Sequence, residues 1–232
     1  QIVYYFTAAS ALGAPGRPVS FTVPTGNFGD IFAGYVAGRM GLPIDRLVIA
    51  TNENDILART LQTGRYQLAG VVPTTSPSMD IQISSNFERL LFEAGGRDAA
   101  AVRAAMASLA QSGGFDLGDV VTDTIAMDFA AGRASESDVG DCMRETLKKA
   151  EYLLDPHTAV GRVVAERHAD DRPMVTLATA HPAKFPDAVK AATGAEAALP
   201  SWLSDLHQRP ERFEVMPADR GAIAAYLRQR RS

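Results

Sequence analysis

The sequence predicts an α/β fold, a mostly parallel sheet flanked by helices on both faces. Two observations carry that prediction. The short apolar runs 19–23 (VSFTV), 47–51 (LVIAT) and 174–179 (MVTLAT) read as strands buried on both sides. Stretches with apolar residues at helical spacing follow them, and strand–turn–helix alternation is the signature of a parallel layer. The bulk composition agrees. With 232 residues, 46% of them hydrophobic and 22% charged, the chain can enclose a sizeable core.

The elements follow in order. The chain opens, without Met, on QIVYYFTAASALG, an apolar helix in which Ile2, Val3, Phe6 and Ala9 share a face, Tyr5 adjoins it and Gly13 stops it. No charged segment marks it as a secretory signal, and a start inside a helix implies a piece of a longer protein. Residues 14–18 form a loop before the first strand. After that strand comes PTGNFGD, then a helix carrying Ile31, Phe32, Tyr35, Val36 and Met40 and ending near Gly41. The second strand runs into NENDILARTLQTG, where Asn52, Asn54 and Asp55 offer N-cap and turn chemistry and Gly64 stops a helix.

Residues 71–85 are a Pro/Ser/Thr-rich connection. Ser85 and Glu88 have capping-box spacing at the head of a helix whose stripe is Phe87, Leu90, Leu91 and Ala94. A helical region covers 97–112 and a loosely patterned stretch follows. Val139, Met143, Leu147 and Leu154 then mark a further helical face. Asp155 as N-cap and Pro156 at the first position open the next helix. The third strand leads into AHPAKFPDAVKAATG, and the tail ends on the helix GAIAAYLRQRR. There is no internal repeat and no clean linker, so residues 1–232 read as one α/β portion.

Composition excludes several classes of function. A net charge of −4 and a pI of about 5.6 argue against a general nucleic-acid binder, which carries a basic stripe. No apolar run approaches the roughly 18 residues of a membrane span. The single cysteine, Cys142, allows neither an internal disulfide nor a thiolate cluster, and it reads as an inert helix residue. The four histidines are scattered without ligand spacing, so no metal site is expected.

The turn between the first strand and its helix is the strongest chemical signal. Glycines let the backbone pass close to a ligand, and a helix start presents unpaired N–H groups with partial positive charge. Together they suit an anion, above all a phosphate. The generic pattern is equally that of an ordinary βα turn in which Asp30 caps the helix. It matches neither the dinucleotide fingerprint nor the Walker loop.

The longer string decides between these readings. PTGNFGDIFAGYVAGRMGLPIDRLVIATNENDIL, with SPSMDIQISSNFERL, LLDPHTAVG and LATAHPAKF, closely resembles the threonine synthase family. The resemblance runs over essentially the whole chain and matches the C-terminal half or so of such enzymes. It implies the fold of the tryptophan-synthase-β class (fold type II), pyridoxal 5'-phosphate as cofactor and a cytoplasmic enzyme. The implied reaction converts O-phosphohomoserine and water to threonine and phosphate. The Schiff-base lysine of the family belongs to the N-terminal half, which would be this chain's partner, so no catalytic residue is assigned here.

Carried over residue by residue, the resemblance places Gly26, Asn27, Phe28, Gly29 and Asp30 around the cofactor phosphate, with Asp30 shaping or capping the loop. It places the Thr179 hydroxyl at the pyridine nitrogen. Lys184 is read as a phosphate ligand or a structural residue. His181 and His157 sit at helix starts and read as local caps as easily as catalytic groups, a lone His there being more often structural than catalytic. Two other readings stay open: a phosphate-binding α/β module without catalysis, and another lyase or synthase of the same cofactor class.

Overall fold

The computed structural model describes residues 1–230, and the chain divides into two units, Gln1–Ala198 and Leu199–Ser232. The first unit is built on a four-stranded sheet. Its elements in chain order are α1 (Ile2–Ala11), β1 (Val19–Pro24), α2 (Gly29–Arg39), β2 (Ile44–Thr51), α3 (Ile56–Thr63) and β3 (Arg65–Gln67). Then come α4 (Phe87–Ala94), α5 (Ala99–Ser112), β4 (Gly114–Asp116), α6 (Asp119–Asp128) and β5 (Phe129–Arg133). The unit closes with α7 (Glu136–Ala150), α8 (Pro156–His168), β6 (Met174–Thr176) and α9 (Pro186–Thr193). The strand order is β5-β2-β1-β6 with every pairing parallel, while β3 and β4 make a separate antiparallel pair.

Alternation along the central strands divides two cores. Val19, Phe21, Val23, Leu47 and Ile49 face a cluster with Tyr5, Phe28, Ile31, Phe87 and Phe129. Val48 and Ala50 face the opposite cluster, with Val139, Met143, Val160, Val164 and Val189. Burial on both faces is what a parallel sheet covered by helices requires. The α/β fold with a helix-flanked parallel sheet is therefore as the sequence predicts.

The differences lie in detail, and each has a cause. Strand β6 ends at Thr176, not at 179. Ser20 N–H donates to the Pro173 carbonyl at 2.9 Å and Leu177 N–H to the Thr22 carbonyl at 3.0 Å. The next rung would need an N–H on Pro24, which has none. On α1, Tyr5 and Ala9 are fully buried while Val3 is 59% exposed, so the apolar face is centred on Tyr5. The capping box at Ser85 does not form: Asn86 is the N-cap of α4 and makes no side-chain cap bond. Strands β3, β4 and β5 escaped the sequence reading. Two are three residues long, and β5 (FAAGR) is too rich in small residues to show a β pattern.

Other features match. Gly64 closes α3 in the left-handed conformation at φ 70°. Asp155 caps α8 through His157 N–H and Thr158 N–H, with Pro156 in the first turn. In the second unit, α10 (Arg220–Gln229) is capped by the Asp219 side chain on Ala222 N–H at 2.7 Å.

Helix α2 contains a pair of glycines in contrasting surroundings. A Cβ at Gly34 would lie 2.5 Å from the buried Tyr5 ring and 2.9 Å from Leu47, whereas one at Gly38 would meet only Ile44 at 3.8 Å. Gly34→Ala should therefore destabilise the chain by about 1–3 kcal/mol through overpacking. Gly38→Ala should stabilise it, by up to about 1 kcal/mol, through helix propensity. Denaturant midpoints of the two variants would test this, and equal shifts in one direction would refute it.

Candidate functional site

The C-terminal end of β1 delivers the chain into the turn 25–28. Thr25 N–H is still tied to the Ala50 carbonyl of β2 at 2.8 Å. The chain then reverses at Phe28, the N-cap of α2, with φ 67° and ψ 0°. A bulky residue in the left-handed region is uncommon. Its ring is fully buried, edge-on to Phe87 at 5.2 Å and tilted on Phe129 at 5.9 Å.

Each polar group of the turn has a defined place. Gly29 N–H donates to Asn27 Oδ1 at 2.9 Å. The Gly26 carbonyl accepts from Ser84 Oγ at 2.7 Å, and the Asn27 carbonyl accepts from Asn86 Nδ2 at 2.9 Å and Asn86 N–H at 3.0 Å. The N–H groups of Gly26, Asn27, Phe28 and Asp30 have no protein acceptor among the described residues. Neither Gly26 nor Gly29 has a positive φ. A Cβ on Gly26 would lie 3.0 Å from the Ser78 carbonyl, so close packing of the 77–79 turn excludes a side chain there.

A cleft of about 600 Å³ lies where β1 and β6 end, with Pro24 and Leu177 in its wall. Gly26, Asn27 and Asp30 line it on the turn side, and Thr179 and Lys184 on the β6 side. The structure thus brings together four of the six expected site residues. Phe28 is turned into the core, and Gly29 is absorbed by the Asn27 cap. Thr179 lies three residues beyond the end of β6, with an exposed side chain.

Asp30 sits in the first turn of α2 but makes no cap bond. Its backbone carbonyl accepts from the Tyr5 hydroxyl at 2.8 Å. Its Oδ1 is buried without a hydrogen-bond partner among the described residues. Burial raises this carboxyl above the usual range.

Ser78 and His157 complete the cleft, and sequence reasoning gave neither a role there. His157 is 4% exposed. Its Nδ1 lies 3.2 Å from Asp155 Oδ1 and its Nε2 accepts from Ser78 N–H at 3.3 Å. An acceptor at Nε2 requires the proton on Nδ1, facing Asp155. Asp155 therefore caps α8 and orients the imidazole with one carboxylate. His181 is the local cap it was read as, its Nδ1 accepting from Ala183 N–H at 3.1 Å.

Of the N-cap and turn chemistry expected of Asn52 and Asn54, the turn forms, with Asn54 N–H donating to Asn52 Oδ1 at 2.9 Å, but neither caps α3, whose N-cap position is Asp55. Both are buried and bind the 72–80 connection. Asn52 Nδ2 donates to Thr74 Oγ1, Ser76 Oγ and Asp80 Oδ1 at 2.8–2.9 Å. Asn54 exchanges hydrogen bonds with Val72 and donates to Asp80 Oδ1 at 2.9 Å. The only hint in the sequence was the spacing of two asparagines after a strand. Burial pushes the Cys142 thiol up, consistent with an inert residue.

Among the described residues, no group of three or more His, Cys, Asp or Glu is placed to hold a metal. No helix is long and apolar enough to cross a membrane.

Residues 158–227 match the family described as threonine synthase, C-terminal. A threonine synthase of Pseudomonas aeruginosa is 48% identical over 99% of this chain and 50% of its own length. The crystal structure of threonine synthase from Brucella melitensis with pyridoxal phosphate bound superposes at a TM-score of 0.91. It has 62% identity and covers 98% of this chain and 49% of that one. The yeast threonine synthase structure gives a TM-score of 0.84 at 36% identity, covering 98% and 50%. The chain spans about half the length of the relatives it matches.

The half-buried Asp30 carboxyl, whose Oδ1 has no hydrogen-bond partner among the described residues, yields a pH-dependent expectation. A carboxyl whose pKa rises on folding penalises the folded state above that pKa, and the penalty fades as pH falls through it. Asp30→Asn should therefore raise the thermal midpoint at neutral pH, with a gain that shrinks toward the unfolded carboxylate range. A gain independent of pH, or a lower midpoint at pH 7, would contradict this.

Proposed function

The chain belongs to the threonine synthase family, and on that premise we propose that the intact protein converts O-phosphohomoserine and water to threonine and phosphate. Pyridoxal 5'-phosphate serves as cofactor and the cytoplasm as location. Residues 1–232 supply the part that binds the cofactor phosphate, and the N-terminal half supplies the cofactor lysine. The observation that carries this reading is the turn 26–30. Its free N–H groups at the head of α2 share one cleft with Lys184 and Thr179.

The residues present fit the group. Unpaired N–H groups at a helix start favour a phosphate dianion. Lys184 is exposed at the cleft and adds a cation. The exposed Thr179 hydroxyl can donate a hydrogen bond to an unprotonated ring nitrogen. When bound, pyridoxal phosphate would supply the electron sink for successive loss of the substrate's Cα and Cβ protons, which lets phosphate leave Cγ before water adds at Cβ. The chain's own contribution is to bind and orient. The turn anchors the phosphate, Thr179 fixes the ring, and the Asp155–His157–Ser78 chain holds the 77–79 segment that packs against Gly26.

None of the four lysines here is assigned to covalent attachment of the cofactor. Lys148 and Lys149 are exposed on α7, and Lys190 pairs with Glu196 at 2.5 Å. Lys184 lines the cleft, but its motif is not that of the cofactor lysine.

Two measurements test the proposal. In the intact protein, Gly26→Val and Gly29→Val should weaken pyridoxal phosphate binding at least about tenfold, near 1.4 kcal/mol. Wild-type affinity in both variants, or no phosphate release from O-phosphohomoserine by the wild type, would overturn it. The 232-residue chain alone should release no phosphate, and Lys184→Ala in the intact protein should keep its covalently bound cofactor. Loss of that attachment would place the cofactor lysine in this chain instead.

A further inference from the structure

Outside the cleft residues, the segment 84–86 makes the most direct contact with the turn. A site for a dianion must present donors and turn its carbonyl oxygens away, because a carbonyl lone pair facing the anion opposes binding. Three carbonyls precede the first residue of α2 and have to be placed, those of Gly26, Asn27 and Phe28. Phe28 places its own in α2, where it accepts from Phe32 N–H at 3.1 Å. Those of Gly26 and Asn27 come before the helix and have no helical donor. They are taken by Ser84 Oγ at 2.7 Å and by the side chain and backbone of Asn86 at 2.9 and 3.0 Å.

Two features show that these contacts are specific. Asn86 is the N-cap of α4, where an asparagine side chain normally caps its own helix for about 1 kcal/mol. Here it makes no such bond and gives its amide to Asn27. Ser84 is buried and is itself held, since its N–H donates to the Tyr66 hydroxyl at 2.9 Å. Tyr66 is fixed in turn by Phe115, stacked at 5.1 Å, and by Phe87 at 5.6 Å. Phe87 is also the ring that packs against Phe28. Apolar and polar supports therefore converge on the same four residues.

We propose that Ser84 and Asn86 are positioning residues for the phosphate turn. They hold the carbonyls of Gly26 and Asn27 away from the cleft, so that the turn offers only N–H groups to the anion. The inference rests on the reading of this turn as the cofactor-phosphate site. It predicts a loss confined to the phosphate part of the cofactor. Neither residue touches the ligand, so purely structural damage would weaken binding of the pyridine ring equally.

The test compares pyridoxal 5'-phosphate with pyridoxal, which lacks the phosphate, on the intact apoprotein. The variants are Ser84→Ala, Asn86→Ala and Asn86→Leu, which keeps the size of the side chain but removes its donor without adding charge. The exposed α4 variant Arg89→Ala is the control. Each of the three should lower the preference for the phosphorylated compound by about three- to tenfold, the loss of one hydrogen bond, and Arg89→Ala should not. Circular dichroism at the assay temperature would confirm that each variant is folded. If Gly26→Val keeps the wild-type preference, the reading of the turn as a phosphate site fails. If Gly26→Val loses it while all three variants keep it, or if they weaken both compounds equally, the assignment of Ser84 and Asn86 is overturned.

Discussion

The geometry of the site depends on the burial of one residue, Phe28, in a conformation its side chain disfavours. A non-glycine residue in the left-handed region costs about 1–2 kcal/mol. Full burial of a Phe ring returns about 1.5–3 kcal/mol, and two aromatic contacts add to it. The balance favours the reversal only while the ring has its pocket. That pocket is made by Phe87 from α4 and Phe129 from β5, elements far apart in the chain. The sharp bend that starts α2 is thus set by tertiary packing, and it places the turn's N–H groups opposite the ring.

The second support is polar. The connection 68–86 has one short 3-10 turn at Pro77–Met79 and otherwise no regular structure, yet Ser76, Met79, Gln82 and Ser84 in it are buried. Irregular backbone can be buried only if its polar groups find partners. Asn52 and Asn54, at the end of β2, satisfy one half of it together with Asp80. Tyr66, on β3, satisfies the other half by donating to the Gln82 carbonyl at 3.0 Å and accepting from Ser84 N–H. The sheet therefore determines where Ser78 and Ser84 stand. Through them it shapes both walls of the cleft.

This division explains what could be read from the sequence. The central strands were legible because burial on both faces leaves an apolar run, and α8 because Asp155–Pro156 is a local cap signal. The turn 26–30 was legible as a pattern, but the contacts that shape it were not. Glycine suggested ligand approach at Gly26, whereas the structure shows packing against Ser78. The unusual backbone conformation is at Phe28, where no local rule would place it. Asn52, Asn54, Ser84 and Asn86 all look like turn or cap residues. Their partners lie 18 to 59 positions away, beyond the reach of local rules. Edge strand β5 failed for a related reason, since its identity comes from pairing with β2 and its own residues are small.

Electrostatics reconcile an acidic chain with an anionic ligand. A net charge of −4 acts over the whole surface and is screened within about 8 Å at physiological salt. Inside the cleft the nearest groups decide. On the favourable side stand the free N–H groups at the head of α2 and the ammonium of Lys184. On the other stands Asp30, half-buried one residue past Gly29. Burial raises the pKa of this carboxyl. A phosphate dianion in the cleft would raise the Asp30 pKa further, since like charges disfavour each other's ionised forms. Binding an anion there and protonating Asp30 are therefore linked.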